Sequence, residues 1–156
     1  AQLDRFSFKL LVQYPDAAEE AAIVRRFGER SGPPRPADFG VAQMADPAII
    51  AAAQAAVKAV TLSEEVIGYT VALIRATRTS GEIASGASPR AAVLLANAAR
   101  ARAALDGRDY VIPDDVKALA TATLRHRLLL SPAAEIEGRQ VEELVAKLIA
   151  PTGATR

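Results

Sequence analysis

Arg90 is the residue whose placement most invites chemistry. It follows Gly86-Ala87-Ser88-Pro89, and a Ser-Pro pair opens helices as a cap followed by proline at the first helical position. A cation in the first helical turn opposes the helix dipole, at a cost of ~0.3–1 kcal/mol. At helical spacing Arg90 leads to Leu94, Ala98, Ala101 and Leu105, so it emerges at the apolar edge of that helix. An arginine beside free backbone N–H groups makes an anion site. The competing reading is a snorkelling arginine or one paired with an acid elsewhere, and on spacing alone that is the commoner outcome.

Other cations carry less. Arg5, in Leu3-Asp4-Arg5-Phe6, has Asp4 as its obvious ion-pair partner. Arg125-His126-Arg127 reads as a buried-edge histidine between solvated arginines, with Arg127 on the apolar stripe of its helix. Arg75 and Arg78 end a helix, where cations suit the dipole and need no function. The sequence holds no GxxxxGK[ST] phosphate loop, no GxGxxG after a strand and no HExxH. No pair of acids is placed for acid–base work. Read from these residues, the chain is not a self-sufficient enzyme.

The elements that must position these residues are mostly helices. A first segment alternates Phe6, Phe8, Leu10 and Val12 with Ser7, Lys9, Leu11 and Gln13, which predicts a short strand ending at Tyr14-Pro15. A lone strand is not stable, so it belongs with a sheet mostly absent from this sequence. Asp16 with Glu19 predicts a capping box and a helix up to Gly28. The Gly/Pro-rich stretch from Gly28 to Gly40 is an ordered excursion or a mobile loop. Asp46-Pro47 and Ser63 open two further helices, and Gly81 to Gly86 is a turn or loop. Ser88-Pro89 opens the helix of Arg90, which stops at Asp106-Gly107. Pro113 opens the next, with Val116, Leu119, Ala120, Thr123 and Leu124 as its stripe. Ile112 is a poor cap for it. The last helix spans about Arg139 to Ala150, stopped by Pro151, with Val141, Leu144, Val145 and Leu148 at the spacing of one helical face.

Composition bounds the function classes. The 156 residues suit one domain, and 51% are apolar but only 4% aromatic, so the core is built of Ala, Val, Leu and Ile. A net charge of +1 gives no case for nucleic acid or a membrane surface. Cys is absent and His126 is the single histidine, which excludes disulfides, thiolate metal sites and His-rich metal sites. The chain opens on Ala1 rather than Met, in mid-pattern, and is read as a piece of a longer protein.

Together, AQLDRFSFKLLVQYP, VTLSEEVIGYTVALIRATR and GASPRAAVLLANAARARAALDGRDYVIPDDVKALATATLRHRLLL resemble the C-terminal part of MoxR-type AAA+ ATPases, from Ala1 to about Ile149. The resemblance implies an all-α lid, a small helical bundle over 15–156, after a short strand and arginine-finger region over 1–14 left from an α/β core. Walker A and Walker B would lie upstream of Ala1. Arg5 would be the arginine finger, reaching ATP on the neighbouring subunit. Arg90 would be sensor 2, contacting the γ-phosphate, with Ser88 and Pro89 of the same motif at the nucleotide. ATP and Mg²⁺ would be bound mainly by the core. The family further implies a cytoplasmic hexameric ring, a partner with a von Willebrand factor A domain, and chaperone-like remodelling of a client complex. Ile112 departs from the Thr or Ser that often precedes the proline. The alternative is a stand-alone helical adaptor domain without nucleotide chemistry. A helical DNA-binding domain is disfavoured by the near-neutral charge.

Overall fold

The computed structural model of the chain describes residues 3–29, 32–33, 35–41 and 46–150. Helices dominate: α1 (Ala17–Phe27), α2 (Pro47–Ala59), α3 (Glu64–Thr79), α4 (Pro89–Leu105), α5 (Pro113–Leu124), α6 (Pro132–Ile136) and α7 (Val141–Ile149). Two short strands, β1 (Ile83–Ser85) and β2 (Leu129–Leu130), pair antiparallel. The all-α class with a short strand component holds. No helix of the described residues is long and apolar enough to cross a membrane.

The starts of the helices follow from single side chains. Asp16 accepts the Glu19 N–H at 2.8 Å and the Glu19 carboxylate accepts the Asp16 N–H at 3.0 Å, completing the capping box. The Asp46 carboxylate accepts the Ala48 N–H at 2.8 Å ahead of α2. Ser63 accepts the Val66 N–H at 3.3 Å ahead of α3. At α5, Ile112 has no side-chain oxygen to offer. Asp115 supplies the other half, its carboxylate accepting the Ile112 N–H at 3.0 Å.

The chain divides into two compact units, Leu11–Ala51 and the remainder, with α2 running across the division. In the first, the Arg26 guanidinium lies 5.5 Å and 5.0 Å from the ring centroids of Phe27 and Phe39. The short turn Pro36–Phe39 belongs to the Gly/Pro-rich excursion, of which residues 30, 31 and 34 lie outside the described residues, as does Pro151.

The second unit holds the core. Leu73 and Ile74 of α3, Leu95 of α4, Val116 and Leu124 of α5, and Leu144 and Val145 of α7 are all buried. On α4 the buried line is Ala91, Leu95, Ala99 and Ala103, four residues apart. Three alanines in that ridge let the neighbouring helices approach closely. Leu94, Ala98 and Ala101, the line that leads from Arg90, are half-buried at its edge.

Several local expectations are corrected. Phe6–Val12 is not a strand: its backbone bonds are a local turn bond, Phe6 N–H to Leu3 O at 3.1 Å, and Lys9 N–H to Ala122 O at 2.9 Å on α5. A strand needs a neighbouring strand to satisfy its backbone, and none flanks it among the described residues. The pairing lies instead inside Gly81–Gly86, expected to be loop, where Ile83 faces Leu130 and Ser85 faces Leu129. Strands this short give too few residues to show an alternation. Helix α6, capped by Ser131, falls in a stretch with no element expected, because five residues are less than two helical turns. The last helix begins at Val141 rather than near Arg139.

Candidate functional site

The turn that carries Arg90 is held by the last turn of α3. Thr77 is fully buried, and its hydroxyl donates to Ile74 O at 2.7 Å while accepting the Ala87 N–H at 3.0 Å. Arg78 Nε donates to Ala87 O at 2.7 Å. Both backbone groups of Ala87 are thereby fixed by adjacent residues of α3. Gly86 passes against that same turn. A Cβ there would lie 2.7 Å from Thr77 O and 2.8 Å from Arg78 Cα, so glycine is required by space alone. Arg78, expected to serve only the helix dipole, is thus a strut for this turn.

Ser88 stands at the cap position of α4, but its side chain makes no capping bond. Its Oγ is buried and has no partner among the described residues. Pro89 fills the first helical position and has no N–H to satisfy. Arg90 is exposed one residue further on. The ion-pair alternative is not seen: among the described residues no acid pairs with Arg90, and the first turn of α4 carries no acid. A hollow of about 160 Å³ beside it is lined by Val71, Ile74, Arg75, Arg78, Pro89 and Ala92. Arg90, Ser88 and Pro89 therefore share one turn, with two more arginines close to its foot.

Arg5 stands on a different turn, against the end of α5. Leu3–Arg5 form one 3-10 turn. Asp4 does not pair with Arg5. Its carboxylate accepts from Arg127 Nε at 2.9 Å. Arg5 is exposed, its guanidinium carbon 5.3 Å from the Phe6 ring centroid. The Arg127 side chain is only 1% exposed, which corrects the expectation of a solvated arginine on a helical stripe. α5 ends at Leu124, and residues 125–127 turn back toward the N-terminal segment. His126 Nε2 lies 3.0 Å from Phe6 O. A carbonyl only accepts, so Nε2 carries the proton. Nδ1 is buried without a partner among the described residues, and burial pushes the imidazole pKa below its ordinary value.

A third cluster escaped the sequence reading. Asp115, 1% exposed, accepts from Arg108 at 2.7 and 2.8 Å, with Arg102 Nε 3.3 Å away. Burial pushes its carboxyl up, but the bonds from Arg108 and the Ile112 N–H outweigh that and hold it below the usual carboxylate range. Asp115 follows another aspartate at a helix start, where the sequence gives a sufficient local reason for acids. That masks the ion pair to the α4–α5 connection. Among the described residues no group of His, Asp and Glu could hold a metal ion.

Residues 75–148, which include the Gly86–Arg90 turn, match the family of AAA lid domains. The chain is 38% identical over 149 residues to the YeaC protein of Bacillus subtilis, covering 96% of this chain and 45% of that protein. It is 36% identical over 140 residues to the chaperone MoxR1 of Mycobacterium tuberculosis, covering 84% and 35%. A crystal structure from Cytophaga hutchinsonii, described as a candidate ATPase, superposes with a TM-score of 0.82 at 29% identity, covering 99% of this chain and 48% of that one. The chain thus spans less than half the length of these relatives. This helical unit is an AAA lid domain. The chain that carries it belongs with the MoxR-type AAA+ ATPases, as its motifs implied.

Proposed function

We propose that this lid domain serves an ATP site with two arginines. Arg90 is sensor 2, contacting the γ-phosphate from the lid. Arg5 is the arginine finger, reaching the nucleotide of the neighbouring subunit. One observation carries the reading: Arg90 is an exposed arginine with no acid partner among the described residues, on a turn whose backbone is fixed by Thr77 and Arg78. An arginine left unpaired on a rigid turn is pre-organised for an external anion. The buried, unpartnered Ser88 Oγ beside it supports the same assignment.

Bound ATP with Mg²⁺, held mainly by the core, supplies the phosphoryl group that is transferred to water. Arg90 orients that group and offsets the charge that grows on it. Arg5 adds the same stabilisation from the next subunit. Loss of the γ-phosphate releases Arg90 and lets the helical unit, with the Leu3–Ser7 turn fastened to it, move relative to the nucleotide-binding core. The whole protein is proposed to be a cytoplasmic ATPase that assembles as a hexameric ring. It couples turnover to chaperone-like remodelling of a client complex, beside a partner with a von Willebrand factor A domain.

The test uses the full-length protein, this chain together with its nucleotide-binding core. Arg90→Ala lowers steady-state ATP turnover about tenfold or more, with the lid still folded by circular dichroism. Unchanged turnover would remove the sensor assignment.

A further inference from the structure

We infer that Arg127 is the positioning residue of Arg5: it fastens the turn that presents Arg5 onto the helical bundle. This rests on the reading of Arg5 as a finger. The geometry is unusually complete for one side chain. Nε donates to the Asp4 carboxylate at 2.9 Å. Nη2 donates to Asp4 O at 2.7 Å and also to Phe6 O. Nη1 donates to Ser7 O at 3.2 Å and to Thr123 O, the last tying the guanidinium back to α5. The donors of one fork thus bracket Arg5 on both sides, at Asp4 and at Phe6. His126 adds a second hold on Phe6 O.

The electrostatics divide the labour. Arg127 is buried and its charge is neutralised by Asp4, so it has nothing left to offer a phosphate. By taking Asp4, it also deprives Arg5 of its adjacent acid and leaves that guanidinium free, resting against Phe6. A lysine could not reproduce this arrangement. Its single ammonium lacks the planar fork that reaches four carbonyls and a carboxylate together. The residues joined lie 123 apart in sequence, so a movement of the α5 end is transmitted to the Arg5 turn through side-chain bonds rather than along the backbone.

The test again uses the full-length protein and reads amide hydrogen exchange and ATP turnover together. The Phe6 N–H bonds Leu3 O at 3.1 Å and the Lys9 N–H bonds Ala122 O at 2.9 Å, so both amides report the hold on the turn. Arg127→Met, which keeps the buried volume, speeds exchange at both about tenfold. Turnover falls about a hundredfold, the scale expected of a misplaced catalytic group, while binding of a fluorescent ATP analogue is retained. Combined with Arg5→Ala it costs nothing further, because both changes remove one function. Should Arg127→Met not fold, Asp4→Asn is expected to give the same exchange change at roughly a third of the size. Unchanged exchange in the folded variants overturns the clamp. Faster exchange with full turnover, where Arg5→Ala itself lowers turnover, overturns the positioning role. Full turnover in Arg5→Ala overturns the finger reading and the positioning role with it, while the exchange data report the clamp separately.

Discussion

The two turns that carry the proposed nucleotide arginines are held in opposite ways. The Gly86–Arg90 turn is gripped locally. Thr77 and Arg78 lie about ten residues before Ala87 and fix it through its own backbone. The Leu3–Ser7 turn is gripped from 120 residues away, by side chains that follow the end of α5. In the first, space does as much as bonding, since Gly86 fits only without a Cβ. In the second, one guanidinium does nearly all of it. A locally built turn holds its shape with the helices around it. A turn held by one distant side chain keeps its place only while that contact stands.

The largest expected effect at the local turn comes from filling its one gap. Gly86→Ala forces a Cβ into the backbone of α3 and should destabilise the unit by about 2–3 kcal/mol, read from the denaturant midpoint. A neutral result would mean that the turn is not sterically set, and the contrast with the Arg5 turn would weaken. Thr77→Val keeps the shape but leaves the buried Ala87 N–H without its acceptor. A loss of about 1–2 kcal/mol is expected, with no change in exchange at Phe6 or Lys9. Faster exchange at those amides would show that the two turns are coupled after all.

The smallest effect is a pH dependence confined to the Arg5 turn. Burial lowers the His126 pKa below the ordinary value of 6.5, with Arg127 and Lys9 adding to the shift and the Phe6 carbonyl and Asp4 opposing it. The folded state therefore favours neutral imidazole. Its contribution is full above 6.5 and is lost as pH falls through the lower folded value. Between pH 7 and pH 5, protection of Phe6 and Lys9, corrected for intrinsic exchange, should decline slightly, and His126→Gln should abolish that slope. An equal slope at the Ala87 amide would break the distinction, since no histidine touches that turn.

What was legible in the sequence follows the same division. Caps at Asp16, Asp46 and Ser63 were readable because cap and helix are adjacent, and the stripes of α5 and α7 because a helix repeats within a few residues. Ser88-Pro89 marked the start of α4, although its hydroxyl does not cap. The signal for Arg78 was present, an arginine in the last turn of a helix, but the dipole explained it sufficiently. The burial of Arg127 had one local sign, its place on the apolar stripe of its helix, but none that named its partners. An arginine after a helix reads as solvated until its five acceptors are known.

By itself, the sequence determined the helical class, most helix starts, and Arg90 as an arginine worth testing, whereas Arg5 gained its role only from the family resemblance. Those properties depend on neighbours along the chain. Only the tertiary structure decided that Asp4 serves Arg127 rather than Arg5, that Ala87 is held from both sides, and that β1 finds its partner at Leu129–Leu130. Each of these is a choice between partners of equal chemistry. Charge and hydrogen-bonding capacity are written in the residues, but which donor reaches which acceptor is fixed by the packing of the core.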